Sequence, residues 1–257
     1  MTDSSRDPAP AVTRALRVLA LLAEADGAPL SLSDLARALG AAKSSTSNIC
    51  AVLEEGGMIR RVEAGYRLGR RTAELGGAFA HEFNQIREFY GLVEADPVLR
   101  GEVVQVAMLD GINSLYLARH EGRAHRLGTP LGSRLAAVTT GAGLAMLSRL
   151  PDAQVEEVIA ASIEGAAPAG DFPSAATIRR QIAETRERGW AIDPGHGLSG
   201  IWGVAVPLDP WRPTDPPLAL GVALPAAEAD EATLESIGRA TLRVAAQLTN
   251  PFSRPRG

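Results

Sequence analysis

The order of short elements predicted for the N-terminal part of the chain constrains its fold more than any other sequence feature. Apolar residues recur at helical spacing from Val12 and stop at a stretch that contains Gly and Pro. Ser31 followed by Asp34 is typical of a helix capping box, and a third helix is predicted over residues 42–55. Residues 58–69 (MIRRVEAGYRLG) carry a turn between two strand patterns. Three helices followed by a hairpin predict a winged helix-turn-helix.

The third predicted helix has two different faces. On a helical wheel, the side that we expect to pack on the first two helices consists of Thr46, Ile49, Cys50 and Leu53. The opposite side, which is small and hydroxyl-rich and carries one amide, consists of Ser44, Ser47, Asn48 and Ala51. Such a surface fits a DNA major groove, where Ser bonds to several base edges and Asn pairs with adenine. The pattern therefore predicts that this helix reads DNA.

Basic residues next to this helix are candidates for phosphate contacts. Lys43 is the only lysine in the chain, and it lies where a cation opposes the helix dipole unless a phosphate is near. Arg60 and Arg61 are adjacent in a predicted strand, so their side chains leave on opposite faces. For each of these three residues a solvated surface position is the alternative. The predicted DNA contacts are Arg14, Lys43, Ser44, Ser45, Ser47, Asn48, Arg60 and Arg61.

The charge distribution agrees with DNA binding at one end of the chain. Residues 1–71 hold ten Lys and Arg against eight Asp and Glu, whereas the whole chain has a net charge of −4. A mildly basic N-terminal part on an acidic body is compatible with a nucleic-acid contact confined to that part.

A linker helix and a second domain are predicted beyond this part. The predicted domains are a winged helix-turn-helix at 1–71, a linker helix at 72–90, and an α+β domain at 91–257. Within the last domain, core strands are predicted at 203–208 and 217–224, with a proline-rich loop between them.

The sequence argues against several other classes of protein. It has no nucleophile elbow, phosphate-binding loop or dinucleotide fingerprint, and its four histidines lack metal-ligand spacing. A single cysteine, Cys50, excludes a Cys-cluster metal site and an intrachain disulfide. No apolar run approaches the roughly 18–20 residues of a membrane span, and the N-terminus has no secretory pattern. We therefore predict a cytoplasmic protein without a cofactor, metal or membrane contact, which is not an enzyme.

Segments from both parts of the chain, in their order, carry a family resemblance. In the N-terminal part they are TRALRVLALLAEADGAPLSLSDLARALGAAKSSTSN and EEGGMIRRVEAGYRLGRRTAELG. In the second domain they are GSRLAAVTTGAGLAMLS, IRRQIAETRERGWAID and GIWGVAVPL. Over residues 12–250 the chain thus resembles the IclR family, the isocitrate-lyase-regulator type of transcription factor. The resemblance implies a winged-helix head, a linker helix that helps dimerisation, and a GAF-like effector-binding domain. It also implies double-stranded DNA with a palindromic operator, a homodimer or tetramer, and an organic or aromatic acid, or a derivative, as effector.

The resemblance also implies an effector pocket in the second domain. The pocket lines up with Ala124, Leu127, Gly141, Ala142, Asp193, Gly203, Gly221 and Ala223, and His196 stands where relatives have Glu. Gly141 and Ala142 begin a predicted helix, whose free N–H groups suit a carboxylate. The last three pocket positions are Gly or Ala where relatives offer polar or thiol groups, so we expect a roomier, less polar pocket. The alternatives are a plain loop role for His196 and a turn role for Asp193.

The third predicted helix departs from the family pattern at one position. Asn48 stands where the family usually has Arg, and an amide suits adenine whereas a guanidinium suits guanine, so we predict an altered operator. A second hypothesis is a ligand-sensing scaffold whose winged helix contacts proteins. The Ser- and Asn-rich face beside Lys43 argues against it, because protein interfaces normally carry aromatic or aliphatic anchors.

Overall fold

The computed structural model consists of two compact units, with the boundary between Glu82 and Phe83. The structure describes residues 7–25, 27–80, 82–122, 129–165 and 172–250. Each unit has its own cluster of buried apolar side chains. Within the described residues no helix is both long and apolar enough to cross a bilayer.

The N-terminal unit contains the predicted three helices and hairpin. Its elements are α1 (Pro10–Glu24), α2 (Leu32–Leu39), α3 (Lys43–Glu55), β1 (Ile59–Val62), β2 (Gly65–Leu68) and α4 (Arg70–Ala80). The predicted capping box starts α2: the Asp34 backbone N–H donates to Ser31 Oγ over 3.2 Å, and the Ser31 backbone N–H donates to Asp34 Oδ2 over 3.3 Å. The predicted winged helix-turn-helix is confirmed.

Leu30, in the segment before α2, forms a one-residue bridge to the hairpin. Strands β1 and β2 pair antiparallel, and Leu30 bridges to Tyr66 through two backbone hydrogen bonds of 2.9 and 3.1 Å. Gly65 has a φ of +141°, and a Cβ at this position would overlap the Leu30 carbonyl group. Glycine is therefore required where this segment crosses the hairpin.

The C-terminal unit is built on one antiparallel sheet. Its elements are α5 (Asn84–Ala95), β3 (Val103–Asp110), β4 (Asn113–Glu121), β5 (Arg134–Ala136), α6 (Gly141–Leu147), α7 (Asp152–Glu164), α8 (Ala175–Arg188), β6 (Ala191–Asp193), β7 (Ile201–Leu208), β8 (Leu218–Pro225) and α9 (Glu231–Gln247). The six strands are ordered β5-β4-β3-β8-β7-β6, and neighbours pair antiparallel. The predicted α+β class is confirmed, and both predicted core strands lie at the centre of this sheet or beside it.

Helices cover the sheet, and α6 makes the closest approach. All seven residues of α6 are buried, and it contacts β6, β7 and β8. Small buried residues, Ala107, Ala205 and Ala219, belong to the apolar cluster around α6. Helix α9 also packs on β7 and β8, and α5 packs on β4 and α9. The small side chains let α6 lie close to the strands, which brings its first residues to the sheet surface.

The structure has two helices where the sequence predicts one linker helix over residues 72–90. Helix α4 ends at Ala80, and α5 starts at Asn84 and continues to Ala95. Between them Phe83 has an extended backbone (φ −104°, ψ 109°) and a buried side chain. The residues that suggested a continuous stripe serve two different units, since Ile86 is buried in α5 within the C-terminal unit. Tertiary packing of Phe83 and α5 thus overrides the local helical pattern.

Candidate functional site

Helix α3 is anchored by its inward face as predicted. Thr46 and Cys50 are fully buried, and Ile49 and Leu53 pack against the same cluster. The Thr46 hydroxyl donates to the Ala42 carbonyl oxygen over 3.1 Å, so its burial leaves no unpaired donor. Burial raises the pKa of the Cys50 thiol, which keeps it neutral. This face therefore holds α3 in place and takes no part in binding.

The opposite face of α3 is presented to solvent. Ser44, Asn48 and Ala51 are exposed, and Ser45 and Ser47 are partly exposed. We call Ser44, Ser47, Asn48 and Ala51 the recognition face. None of these side chains extends far, so the backbone of α3 is able to approach a groove closely.

The N-terminus of α3 has open hydrogen-bond donors and a free cation. Ala42 occupies the N-cap position and has no capping side chain, and the first turn contains no acidic residue. Lys43 is exposed and forms no ion pair with any residue that the structure describes. Backbone N–H groups at such an end, together with an ammonium, suit a phosphate oxygen. Arg14, in α1, is partly buried.

The hairpin separates its two adjacent arginines, as their alternation predicts. Arg61 Nη2 donates to the Tyr66 hydroxyl over 2.5 Å, its guanidinium lies 5.1 Å from the centre of that ring, and its Nε is 3.8 Å from a Glu54 carboxylate oxygen. Arg60 is exposed, and its side chain has no hydrogen bond or ion pair with the described part of the chain. Arg60 is therefore the arginine that is free to contact a ligand.

The C-terminal unit contains a cavity between the start of α6 and the sheet, which we call the sheet cavity. Six of the nine residues predicted for the pocket line it: Gly141, Ala142, Asp193, Gly203, Gly221 and Ala223. His196 does not line it, but its backbone N–H donates to Asp193 Oδ1 over 2.8 Å. The predicted positions Ala124 and Leu127 lie outside the described residues.

Among the three predicted glycines of the cavity, Gly141 is the one where a Cβ would meet backbone closely, whereas Gly203 and Gly221 have room for a Cβ but little more. A Cβ on Gly203 would lie 3.5 Å from the Gly141 backbone nitrogen, and a Cβ on Gly141 would lie 3.0 Å from the Gly203 carbonyl oxygen. A Cβ on Gly221 would lie 3.5 Å from the Ala205 Cβ. Larger side chains at these positions would fill the space between α6 and the sheet.

Four polar side chains that were not predicted from the sequence also line the cavity. It comprises Gln105, Tyr116, Thr129 and Thr140, all of them buried. Gln105 Nε2 donates to the Thr129 carbonyl oxygen over 2.7 Å. Thr140 Oγ1 accepts from the Gly143 backbone N–H over 3.1 Å and lies 3.0 Å from Ser114 Oγ. The one sequence signal is a glutamine inside the apolar run of β3, because buried strands seldom contain an amide without a partner.

Two titratable groups of the cavity have shifted pKa values. Burial raises the pKa of Asp193, although backbone N–H groups of His196 and Gly195 favour its charged form. Burial also raises the pKa of Tyr116, against the hydrogen bonds from Thr129 and Thr140. Tyr116 therefore offers a neutral hydroxyl to a ligand, and Asp193 takes up a proton more readily than an exposed aspartate.

The lining of the sheet cavity combines small residues with buried polar side chains, and a roomier, less polar pocket than in relatives stays a prediction. The described residues enclose about 50 Å³, and they do not include the predicted lining positions Ala124 and Leu127. No lysine or arginine is among the described residues that line it. Nor do the described residues contain a group of three or more His, Cys, Asp or Glu side chains able to hold a metal ion. Recognition in the described part of this site therefore rests on neutral donors and acceptors and on Asp193.

Comparison with known proteins connects the two units to one family. The IclR helix-turn-helix domain matches residues 11–63, and the C-terminal domain of the bacterial transcriptional regulator IclR matches residues 95–250. The chain belongs to the IclR family. It is accordingly a transcription regulator with a DNA-binding helix-turn-helix and a C-terminal ligand-binding domain, and not an enzyme.

Individual members of the IclR family agree with this assignment over most of their length. A probable transcriptional regulator, SauR of Cupriavidus necator, is 28% identical over 201 residues, which is 77% of this chain and 79% of SauR. The acetate operon repressor of Salmonella typhimurium is 26% identical over 95% of this chain and 90% of the repressor. An IclR homologue of Microbacterium hydrocarbonoxydans, solved in complex with 4-hydroxybenzoate, has the same fold with a TM-score of 0.75 at 23% identity, covering 93% of this chain and 98% of that one.

Proposed function

We propose that this regulator binds double-stranded DNA through the recognition face of α3. Ser44, Ser47 and Asn48 contact base edges in the major groove, and Asn48 favours adenine. Lys43 and the open N–H groups at the start of α3 hold a phosphate, and Arg60 extends this contact from the hairpin. Arg14 and Ser45 are additional backbone contacts of the same interface.

The observation that carries this proposal is the contrast between the two faces of α3. One face is locked into the core by Thr46 and Cys50, whereas the recognition face is exposed or partly exposed, with Val52 and Glu55 exposed beside it. A rigid helix with such a face suits base readout, because the side chains keep a defined register against the groove. The uncapped helix start beside Lys43 adds a site for an anion next to that face.

We propose further that the sheet cavity binds a small-molecule effector, an aromatic or other organic acid or an uncharged derivative. The 4-hydroxybenzoate complex of the Microbacterium relative supports this class. So do the neutral polar groups of Gln105, Tyr116 and Thr140, which match the hydroxyl or carbonyl groups of such a molecule. The buried Asp193 carboxylate favours an amide or ester over an ionised acid close to it.

The two sites are coupled in this proposal. The chain acts in the cytoplasm as a repressor, a homodimer or tetramer on a palindromic operator, and the effector binds one conformation of the C-terminal unit better than another. A change in that unit alters the separation of two DNA-binding heads. Because heads on one face of the duplex must match half-sites about 34–36 Å apart, or a multiple of that, a small change in separation changes DNA affinity.

A fluorescence-anisotropy titration tests the DNA-binding proposal. The probe is a labelled duplex that covers the DNA upstream of the protein's own coding region, and a random duplex of equal length is the control. We expect tighter binding to the first duplex, with an affinity that falls steeply as salt rises. Equal affinity for the two duplexes at every salt concentration would contradict sequence-specific binding, and salt-independent binding would favour the protein-scaffold hypothesis.

A thermal-shift screen of 4-hydroxybenzoate, its amide and its methyl ester tests the effector proposal. We expect at least one of them to raise the melting temperature of the wild type. The Gly221→Leu variant should lose this shift, because the new side chain fills the space next to Ala205 and Ala142. Gly91→Leu is the matched control, since a Cβ on Gly91 meets nothing within 4 Å. A shift that survives in Gly221→Leu places the ligand elsewhere.

A further inference from the structure

Two arginines face each other on the outer side of the hairpin. Arg60 and Arg67 are direct partners in the β1–β2 register, as are Arg61 and Tyr66. Ile59 and Tyr66 are buried in the core of the head, so the side of the hairpin that holds Arg61 is the inner one. Since side chains alternate along a strand, Arg60 and Arg67 share the outer side. Directly opposite residues of this kind have Cβ atoms about 4.5–5.5 Å apart.

Neither of these arginines is neutralised within the described part of the chain. Arg60 is exposed, and its side chain forms no hydrogen bond or ion pair there. Arg67 is partly buried, and its Nε is a buried donor that has no hydrogen-bond partner. Two like charges directly opposite each other destabilise an antiparallel pair. By contrast, the charge of Arg61 is met by Glu54 and by the ring and hydroxyl of Tyr66.

An anion between the two side chains would offset the repulsion between their charges. A guanidinium presents its N–H donors as a planar fork that matches the oxygens of a phosphate. Two facing forks provide donors on two sides of one phosphate group. The bound charge would make the facing pair of arginines favourable when DNA is present.

We propose that Arg60 and Arg67 form a two-arginine clamp for a single phosphate of the DNA backbone. The clamp rests on the DNA-binding function proposed above and adds Arg67 to its contacts. Arg61 is not part of the clamp, because it supports the inner side of the hairpin. The contact is independent of base sequence, so it contributes equally to binding of operator and of random DNA.

The test measures the affinity of the full-length protein for a random 24-base-pair duplex at several salt concentrations. The variants are Arg60→Met, Arg67→Met and the double variant, since methionine keeps an apolar stem and removes the charge. Arg180→Met is the matched control with the same change in net charge, since Arg180 is exposed in α8 of the C-terminal unit. Circular dichroism of each variant checks that the head remains folded.

A single shared phosphate predicts a non-additive result. Each single variant should lose about tenfold in affinity at 50 mM salt, and the slope of log K against log salt should become shallower by about 0.9. The double variant should lose little more than either single variant, and Arg180→Met should change the affinity by less than about twofold.

Three outcomes overturn the proposal. Unchanged affinity and slope in Arg67→Met, with normal binding by the wild type, would leave DNA binding intact and remove the clamp. Additive losses, with a slope change of about 1.8 in the double variant, would mean two separate phosphates. A wild type that fails to bind any duplex would overturn the DNA-binding function together with the clamp.

Discussion

Replacing Thr140 by Val tests how the start of α6 is held at the sheet cavity. Thr140 is the N-cap of α6, and its hydroxyl accepts from the Gly143 backbone N–H over 3.1 Å. The same oxygen lies 3.0 Å from Ser114 Oγ, and Ser114 is fully buried. Valine has nearly the same shape, so the substitution removes the hydroxyl without opening a cavity.

The expected loss of stability has two parts. Removing a hydroxyl N-cap costs about 1 kcal/mol. Leaving the Ser114 hydroxyl buried without this partner, and the Tyr116 hydroxyl with Thr129 alone, costs about 1–3 kcal/mol more. The C-terminal unit should therefore lose about 2–4 kcal/mol of unfolding free energy.

Urea denaturation of the full chain, followed by the fluorescence of the three tryptophans, measures this loss. All three, including Trp190 and Trp202, belong to the C-terminal unit. Ser174→Ala is the matched control: its hydroxyl caps α8 over 3.1 Å at an exposed position, so about 1 kcal/mol should be lost there.

A double variant separates the two parts of the Thr140 effect. Adding Ser114→Ala to Thr140→Val removes the orphaned hydroxyl, so the double variant should be less destabilised than the sum of the two single variants. A Thr140→Val loss no larger than that of Ser174→Ala, or strict additivity with Ser114→Ala, would refute the argument that the Ser114–Thr140 pair holds α6.

Three further predictions concern the recognition face, the hairpin and the sheet cavity. Asn48→Ala should weaken adenine discrimination in a base-substitution binding assay by about 1–3 kcal/mol, while random-duplex affinity stays constant; an unchanged preference would contradict base readout by Asn48. Gly65→Ala should displace the hairpin from Leu30 and lower the melting temperature of the head, whereas Gly76→Ala in open helical space should not; equal effects would argue against the close crossing. The raised pKa of Asp193 means that its charged form destabilises the fold, and this cost disappears as pH falls through the folded-state pKa. Asp193→Asn should therefore stabilise the protein at neutral pH, with a gain that shrinks in acid; a pH-independent difference in urea unfolding would refute this.

Local sequence patterns were sufficient to predict most of the structure of the N-terminal unit. The spacing of Thr46 and Cys50 against Ser44 and Asn48 predicts the two faces of α3, because one turn of helix places them on opposite sides whatever surrounds them. Ser31 and its partner three residues later predict the capping box, since both hydrogen bonds close within one turn.

Six cavity residues also came from sequence, but by family resemblance. The glycine and alanine positions in α6 and the strands are far apart along the chain, and nothing in their spacing brings them together. The sheet register does so, since Gly203 pairs with Ala223 and with Asp193.

Only the tertiary structure decided the remaining features. The helix break at Phe83, the polar lining with Gln105 and Thr140, and the choice between Arg60 and Arg61 all depend on groups distant in sequence or on the opposite strand. Helix periodicity and capping depend on residues within a few positions of one another, so the amino-acid sequence alone determines them. Burial and partnership of a polar side chain depend on which strands and helices meet, and that is settled only when the whole unit packs.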